Sequence, residues 1–167
     1  METELKMEYA TFVVDGISYR INQSDKSQTV SVISGNSLYT GSVNIPATVT
    51  HDGTTYAVTA IGNQAFQQCQ ELTGVTLPRS ITSLGFNAFA GCKSLTAIAL
   101  PNAITAIGDR AFKNCKSLTS IVLPDSVVSL GSTVFNGCSS LTDIRVPDTI
   151  TAIGWNSFDG TPWFENL

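Results

Sequence analysis

Four cysteines at a constant interval of 23 residues, Cys69, Cys92, Cys115 and Cys138, are the first candidates for chemistry in this 167-residue chain. A zinc site needs ligands that converge tetrahedrally, as close CxxC pairs do. Thiols repeated at one interval instead form a line, about 4.8 Å apart if each sits on a neighbouring strand. Neighbouring Cα atoms would then fall in the roughly 4.4–6.8 Å window of a disulfide, so distance alone does not exclude pairing. The favoured reading is four buried free thiols filling a small apolar corner, where cysteine packs as a small hydrophobe. His51 is the only histidine and stands beside Asp52-Gly53. A general base needs a serine or cysteine nucleophile within hydrogen-bond reach, and no motif supplies one, so it reads as a surface turn residue. Asp143 and Arg145 are alternate residues of one strand and face the same way. They are expected to pair with each other or with a partner, and a solvated pair is worth well under about 1 kcal/mol. No catalytic residue, metal ligand or cofactor-binding residue emerges from these groups.

The elements that carry them repeat. Pro78, Pro101, Pro124 and Pro147 keep the interval of 23, as do Gly62, Gly85, Gly108, Gly131 and Gly154, and Phe66, Phe89, Phe112, Phe135 and Phe158. A period in this range marks a solenoid whose units stack their apolar faces. In residues 95–117, Ile98 and Leu100 have the period of a strand and point inward, while Ala97 and Ala99 face solvent. Pro101 has no N–H to give and ends the strand. Ile104 and Ile107 fill a second side as a shorter strand, and Gly108 is expected to turn a corner at positive φ. Asp109, like Asn63 and Ser132 in the same column, is expected to cap a single helical turn carrying Ala111 and Phe112. One such coil buries too few side chains to offset the ordering of its own backbone, so coils must stack to be stable.

The pattern L-x-x-I-x-L-P-x-x-I-x-x-I-G-x-x-A-F-x-x-C closely resembles the BspA-like leucine-rich repeat. Residues 72–94, 95–117 and 118–140 fit it, with Val134 in place of Ala in the third. Residues 141–163 fit with Val146, Ser157 and Thr161 in place of Leu, Ala and Cys. The resemblance covers roughly residues 40–163 and implies a right-handed leucine-rich solenoid of mainly short parallel strands and turns, with little helix. It also implies a cell-surface or secreted protein that binds a protein ligand on a host or a neighbouring cell.

Four segments are expected: residues 1–8 as a disordered or extraneous N-terminus, 9–60 as an N-terminal β cap holding a divergent first coil, 61–163 as the solenoid, and 164–167 as a tail. Within 9–60, one hairpin is expected over Phe12–Ile21, and a second is inserted at Asp52-Gly53, since Pro46 precedes Pro78 by 32 residues rather than 23. Charged residues make up 13% of the chain, about half the usual share, and 18 serines and 20 threonines take the solvent-facing strand positions instead. A net charge of −4 and scattered Lys and Arg give no field for nucleic acid. No apolar run is long enough to enter a membrane. The start, Met1 to Lys6, lacks the regions of a secretory signal, which is expected of a cytosolic chain or of a piece of a longer one.

Phe86 and Trp155 occupy the column after the glycine, where other coils have Asn63, Asp109 and Ser132. Aromatics there give up a capping oxygen and stand about 14 Å apart at strand spacing, as interface anchors would. The plainer alternative folds Phe86 over its own corner and packs Trp155 on the C-terminal tail. The expected function is a non-enzymatic protein-binding or adhesion module of a surface protein. The alternatives are a rigid spacer within a larger surface protein and, behind it, a polysaccharide-active β-helix enzyme, which would need clustered acidic groups that the Asp143/Arg145 pair does not supply.

Overall fold

The computed structural model describes residues 10–23 and 27–167; the expectation for residues 1–8 lies outside them. Among the described residues fourteen short strands and one helical turn follow in order: β1 Thr11–Val14, β2 Ile17–Ile21, β3 Thr29–Ile33, β4 Gly41–Asn44, β5 Thr48–His51, β6 Thr54–Ile61, β7 Leu72–Thr76, β8 Ser83–Leu84, β9 Ala97–Ile98, β10 Ala106–Ile107, β11 Ser120–Val122, β12 Ser129–Leu130, β13 Asp143–Arg145, β14 Ala152–Ile153 and α1 Pro162–Glu165. The protein is a stack of coils, built almost entirely from strands and turns.

Each coil has three sides around one core. On the first side β4, β7 and β9 form a parallel sheet, and β11 pairs in parallel with β13. Val75, Ile98, Ile121 and Ile144 turn inward from these strands while their neighbours face water. The prolines end this side: the carbonyls of Pro78, Pro101, Pro124 and Pro147 each accept from the N–H three residues on, closing a turn. The second side is the ladder β6-β8-β10-β12-β14, in which Ser83, Ala106, Ser129 and Ala152 are successive partners. Ile81, Ile104 and Val127 fill the core beneath it.

The third side is where sequence expectations fail. No helical turn forms at Asp109, because the run from Gly108 to Cys115 is a chain of tight turns that divides its amides between two duties. The N–H groups of Ala111, Lys113 and Cys115 bond back to the carbonyl three residues before. Those of Arg110, Phe112 and Asn114 donate outward to Ser132, Val134 and Asn136 of the next coil. Left-handed backbone makes this alternation possible, and it recurs in two columns: Gln64, Asn87, Arg110, Thr133 and Asn156, then Gln68, Gly91, Asn114, Gly137 and Gly160, with φ between 54° and 76°. Asn and Gly suit these positions. Thr133 does not: a β-branched residue at φ 54° is strained, and its buried hydroxyl has no partner.

Gly108 therefore does not turn the corner at positive φ. Its role is close approach, since a Cβ there would lie 2.8 Å from the backbone carbon of Gly85 and the nitrogen of Phe86 in the preceding coil. Asn63 and Asp109 also act between coils. Their side-chain oxygens accept from the N–H of Phe86 at 2.9 Å and of Ser132 at 2.8 Å, so each caps the coil that follows rather than its own.

The core is continuous from end to end. Phe66, Phe89, Phe112 and Phe135 are fully buried, and with Phe158 they form a ladder of near-parallel rings with centroids 5.0, 5.4, 5.6 and 5.8 Å apart. That separation means offset stacking, the favoured arrangement for parallel rings. Tyr39 meets one end at 4.8 Å and Trp163 the other at 5.0 Å, both tilted. Trp163 is carried by α1, whose N-cap Thr161 accepts from the Phe164 N–H. At the N-terminal end β1 and β2 form a hairpin around Asp15-Gly16, β2 pairs antiparallel with β3, and β5 and β6 form a hairpin around Asp52-Gly53. All four turn residues have positive φ, the requirement of a two-residue type I′ turn.

Candidate functional site

The four thiols are free and buried. Each of three reaches back to the preceding coil: Cys92 Sγ donates to the Phe66 carbonyl at 3.1 Å, Cys115 to Phe89 at 3.2 Å and Cys138 to Phe112 at 3.0 Å. The sulfurs thus tie coils together at the foot of the ring ladder. In the last coil Thr161 takes the place, and its Oγ1 donates to Phe158 of its own coil at 2.6 Å. Burial pushes the Cys69 thiol up and the Cys92 thiol far up, and the neighbouring Cys138 thiol, then burial, does the same for Cys115. Burial keeps all four from reagents, and the raised pKa values keep Cys69, Cys92 and Cys115 from forming the nucleophilic thiolate while folded. A thiol reagent at pH 8 is expected to label the four only after denaturation. Rapid labelling of all four in native protein, or a mass showing two disulfides, would contradict a packing role. The raised pKa values also fix a sign. Unfolded thiols ionise near 9.0 and Cys69, Cys92 and Cys115 higher when folded, so the stabilisation from these three is complete below pH 9 and lost as pH rises above it.

His51 stacks its ring on Phe12, with centroids 4.1 Å apart and planes within 2°, and its Nε2 lies 3.2 Å from the Asp52 carboxylate. It is a half-exposed turn residue with a packing role. Asp143 and Arg145 both face solvent from β13 but do not pair with each other. Arg145 instead reaches across to the preceding coil, donating to the Asp125 carboxylate at 2.9 Å and the Leu123 carbonyl at 3.2 Å. The geometry favours this because the preceding coil stacks about 4.8 Å away, nearer than the alternate residue at nearly 7 Å, and the turn after β11 presents Asp125 to the guanidinium. Among the described residues no three of His, Cys, Asp or Glu gather to hold a metal ion.

Phe86 and Trp155 remain. Trp155 is 81% exposed and does not pack on the C-terminal tail; Trp163 covers the core there instead. Phe86 is 36% exposed, with the Arg110 guanidinium 5.7 Å from its ring centre, a cation–π contact. Between them in the column lie Asp109 and Ser132. The first-side face is flat by comparison: Ala97, Ala99 and Ser120 line a shallow depression of about 360 Å³ that Arg145 and Asp125 border.

Short parallel strands on two sides of a coil, turns on the third and one apolar core along the stack define a leucine-rich repeat protein. A model of the BspA type leucine rich repeat region matches residues 57–167 in six copies, and the chain belongs to that family. Among solved structures, a leucine-rich repeat protein from Bacteroides ovatus is 36% identical, with a TM-score of 0.78, over 86% of this chain and 37% of its own. The T. pallidum leucine rich repeat protein is 30% identical, with a TM-score of 0.76, over 90% of this chain and 67% of its own. A leucine rich cell surface protein from Faecalibacterium prausnitzii is 27% identical, with a TM-score of 0.71, over 91% of this chain and 46% of its own. The chain thus spans little more than a third of the B. ovatus protein it matches. No curated protein matches it. Among the described residues no helix is long and apolar enough to cross a membrane.

Proposed function

We propose that this chain is a non-enzymatic protein-binding module of a cell-surface or secreted protein, anchoring its partner through Phe86 and Trp155, with Asp143 and Arg145 as polar contacts on the adjoining face. The observation that carries the reading is Trp155. A large aromatic standing 81% in water, in a column where Asn63, Asp109 and Ser132 are small and polar, has no packing role to explain it. The F. prausnitzii cell surface protein supports the location, and the single continuous apolar core supports a rigid platform. The flat, small-residue strand face favours the second reading, a spacer that only holds other parts of a longer surface protein apart.

Beads coated with the chain and presented to intact cells separate the two. Adhesion is expected to fall severalfold when the cells are stripped by protease, and again when the beads carry the double variant Phe86→Ser, Trp155→Ser. Folding should survive, because Ser132 occupies the same column. Equal adhesion by the double variant would remove these aromatics as anchors, and no adhesion by the wild-type chain would favour the spacer.

A further inference from the structure

A cavity of about 620 Å³ lies at the N-terminal end, between the β1–β2 turn, β5 and the free edge of β4. Strand β4 ends the sheet β4-β7-β9, and among the described residues no strand pairs with its other side. In its ladder with β7, Gly41 donates to Glu71 and Ile45 donates to Thr76, so the odd-numbered residues face β7. Parallel pairing alternates sides along a strand, so the N–H and C=O groups of Ser42 and Asn44 point the other way, and both residues line the cavity. Tyr19 also lines it, with a fully buried hydroxyl that has no hydrogen-bond partner. A buried donor left unpaired is costly, which marks the place as one built for a further acceptor. The floor is apolar at Ile17, Val43 and Val49, while Asp15 is the only charged residue among those lining the groove.

We propose that β4 is a docking edge for an extended peptide segment of a partner protein, taken up as an added strand and carrying neutral or basic residues. An edge strand selects its occupant by main-chain hydrogen bonds, which only an extended backbone can supply at successive positions. The carboxylate of Asp15 selects against acidic segments and for a lysine, arginine or amino terminus at that end. The inference shares the protein-binding reading but uses none of its residues.

The test uses the full chain labelled with nitrogen-15, and the peptide Lys-Val-Thr-Val-Thr-Val with blocked ends as the probe. Saturable binding is expected, with amide exchange at Ser42 and Asn44 slowed at least tenfold. Methylating alternate backbone nitrogens of the peptide should weaken binding at least tenfold with its side chains intact. Asn44→Pro should do the same. It removes an N–H that the β4–β7 ladder does not use, and Val43 before it is extended. If that variant fails to fold, the methylated peptide on the wild-type chain carries the same test. The Phe86→Ser, Trp155→Ser variant should bind the peptide as the wild type does, so loss of the aromatic anchors and loss of the groove are read separately. Absence of saturable binding up to millimolar peptide, or equal affinity for the methylated peptide, would overturn the proposal.

Discussion

Replacing Phe112 by alanine is expected to destabilise the protein by about 3–5 kcal/mol, the usual range for deleting a fully buried phenylalanine. The ring has no exposure and is stacked on both faces, by Phe89 at 5.4 Å and Phe135 at 5.6 Å. Its loss opens a cavity in the middle of the ladder, and rigid coils on either side cannot close over it. Phe158→Ala is expected to cost less. That ring retains one stacked neighbour, Phe135, and lies 9% exposed beneath the tilted Trp163. Chemical denaturation of both variants checks the order. Equal losses would mean that α1 packs the terminal coil as tightly as a following coil packs the middle ones.

The second large effect is expected at Gly108. Alanine there forces a Cβ to within 2.8 Å of the backbone of Gly85 and Phe86, and neither atom can move without parting two coils. The cost is expected at or above the upper end of about 1–3 kcal/mol typical of overpacking. Asparagine separates the two explanations of this glycine. A left-handed corner would accept Gly108→Asn far better than Gly108→Ala, as Asn87 and Asn156 are accepted two residues beyond their glycines. A close approach rejects both, because any Cβ makes the contact. Comparable and substantial loss in both variants is the expected result; a well-tolerated asparagine would return Gly108 to the corner.

In these residues the side-chain stacks are written in the sequence and the backbone that carries them is not. Side-chain columns were legible because each must meet its own copy in the next coil, so Phe66 to Phe158 and Cys69 to Cys138 announce themselves as stacks. What the columns leave out is the backbone. Whether Gly108 is needed for its φ or for its missing Cβ depends on which atoms of another coil pass beside it, and no interval encodes that. The left-handed columns were invisible because Gln64, Arg110 and Thr133 are not residues that signal positive φ. Asp109 read as a helix cap because capping is normally local, whereas here the acceptor serves an amide 23 residues away. Asp143 and Arg145 were joined by proximity in sequence, and Asp125 won because a stacked coil brings it closer in space. The groove at β4 left no trace in the sequence at all, since an edge is defined by a missing neighbour.

Amide hydrogen exchange at two phenylalanines tests most directly whether coils are bound to one another by backbone ladders on the turn side as well as through the strands. The Phe112 N–H donates to Val134 of the next coil at 3.0 Å, whereas the Phe158 N–H, at the same place in its coil, has no backbone acceptor among the described residues. Phe112 is expected to exchange only through global unfolding, with the largest protection in the chain, and Phe158 through local opening, faster by orders of magnitude. Equal protection at the two positions, or fast exchange at Phe112, would contradict the stacked-coil account.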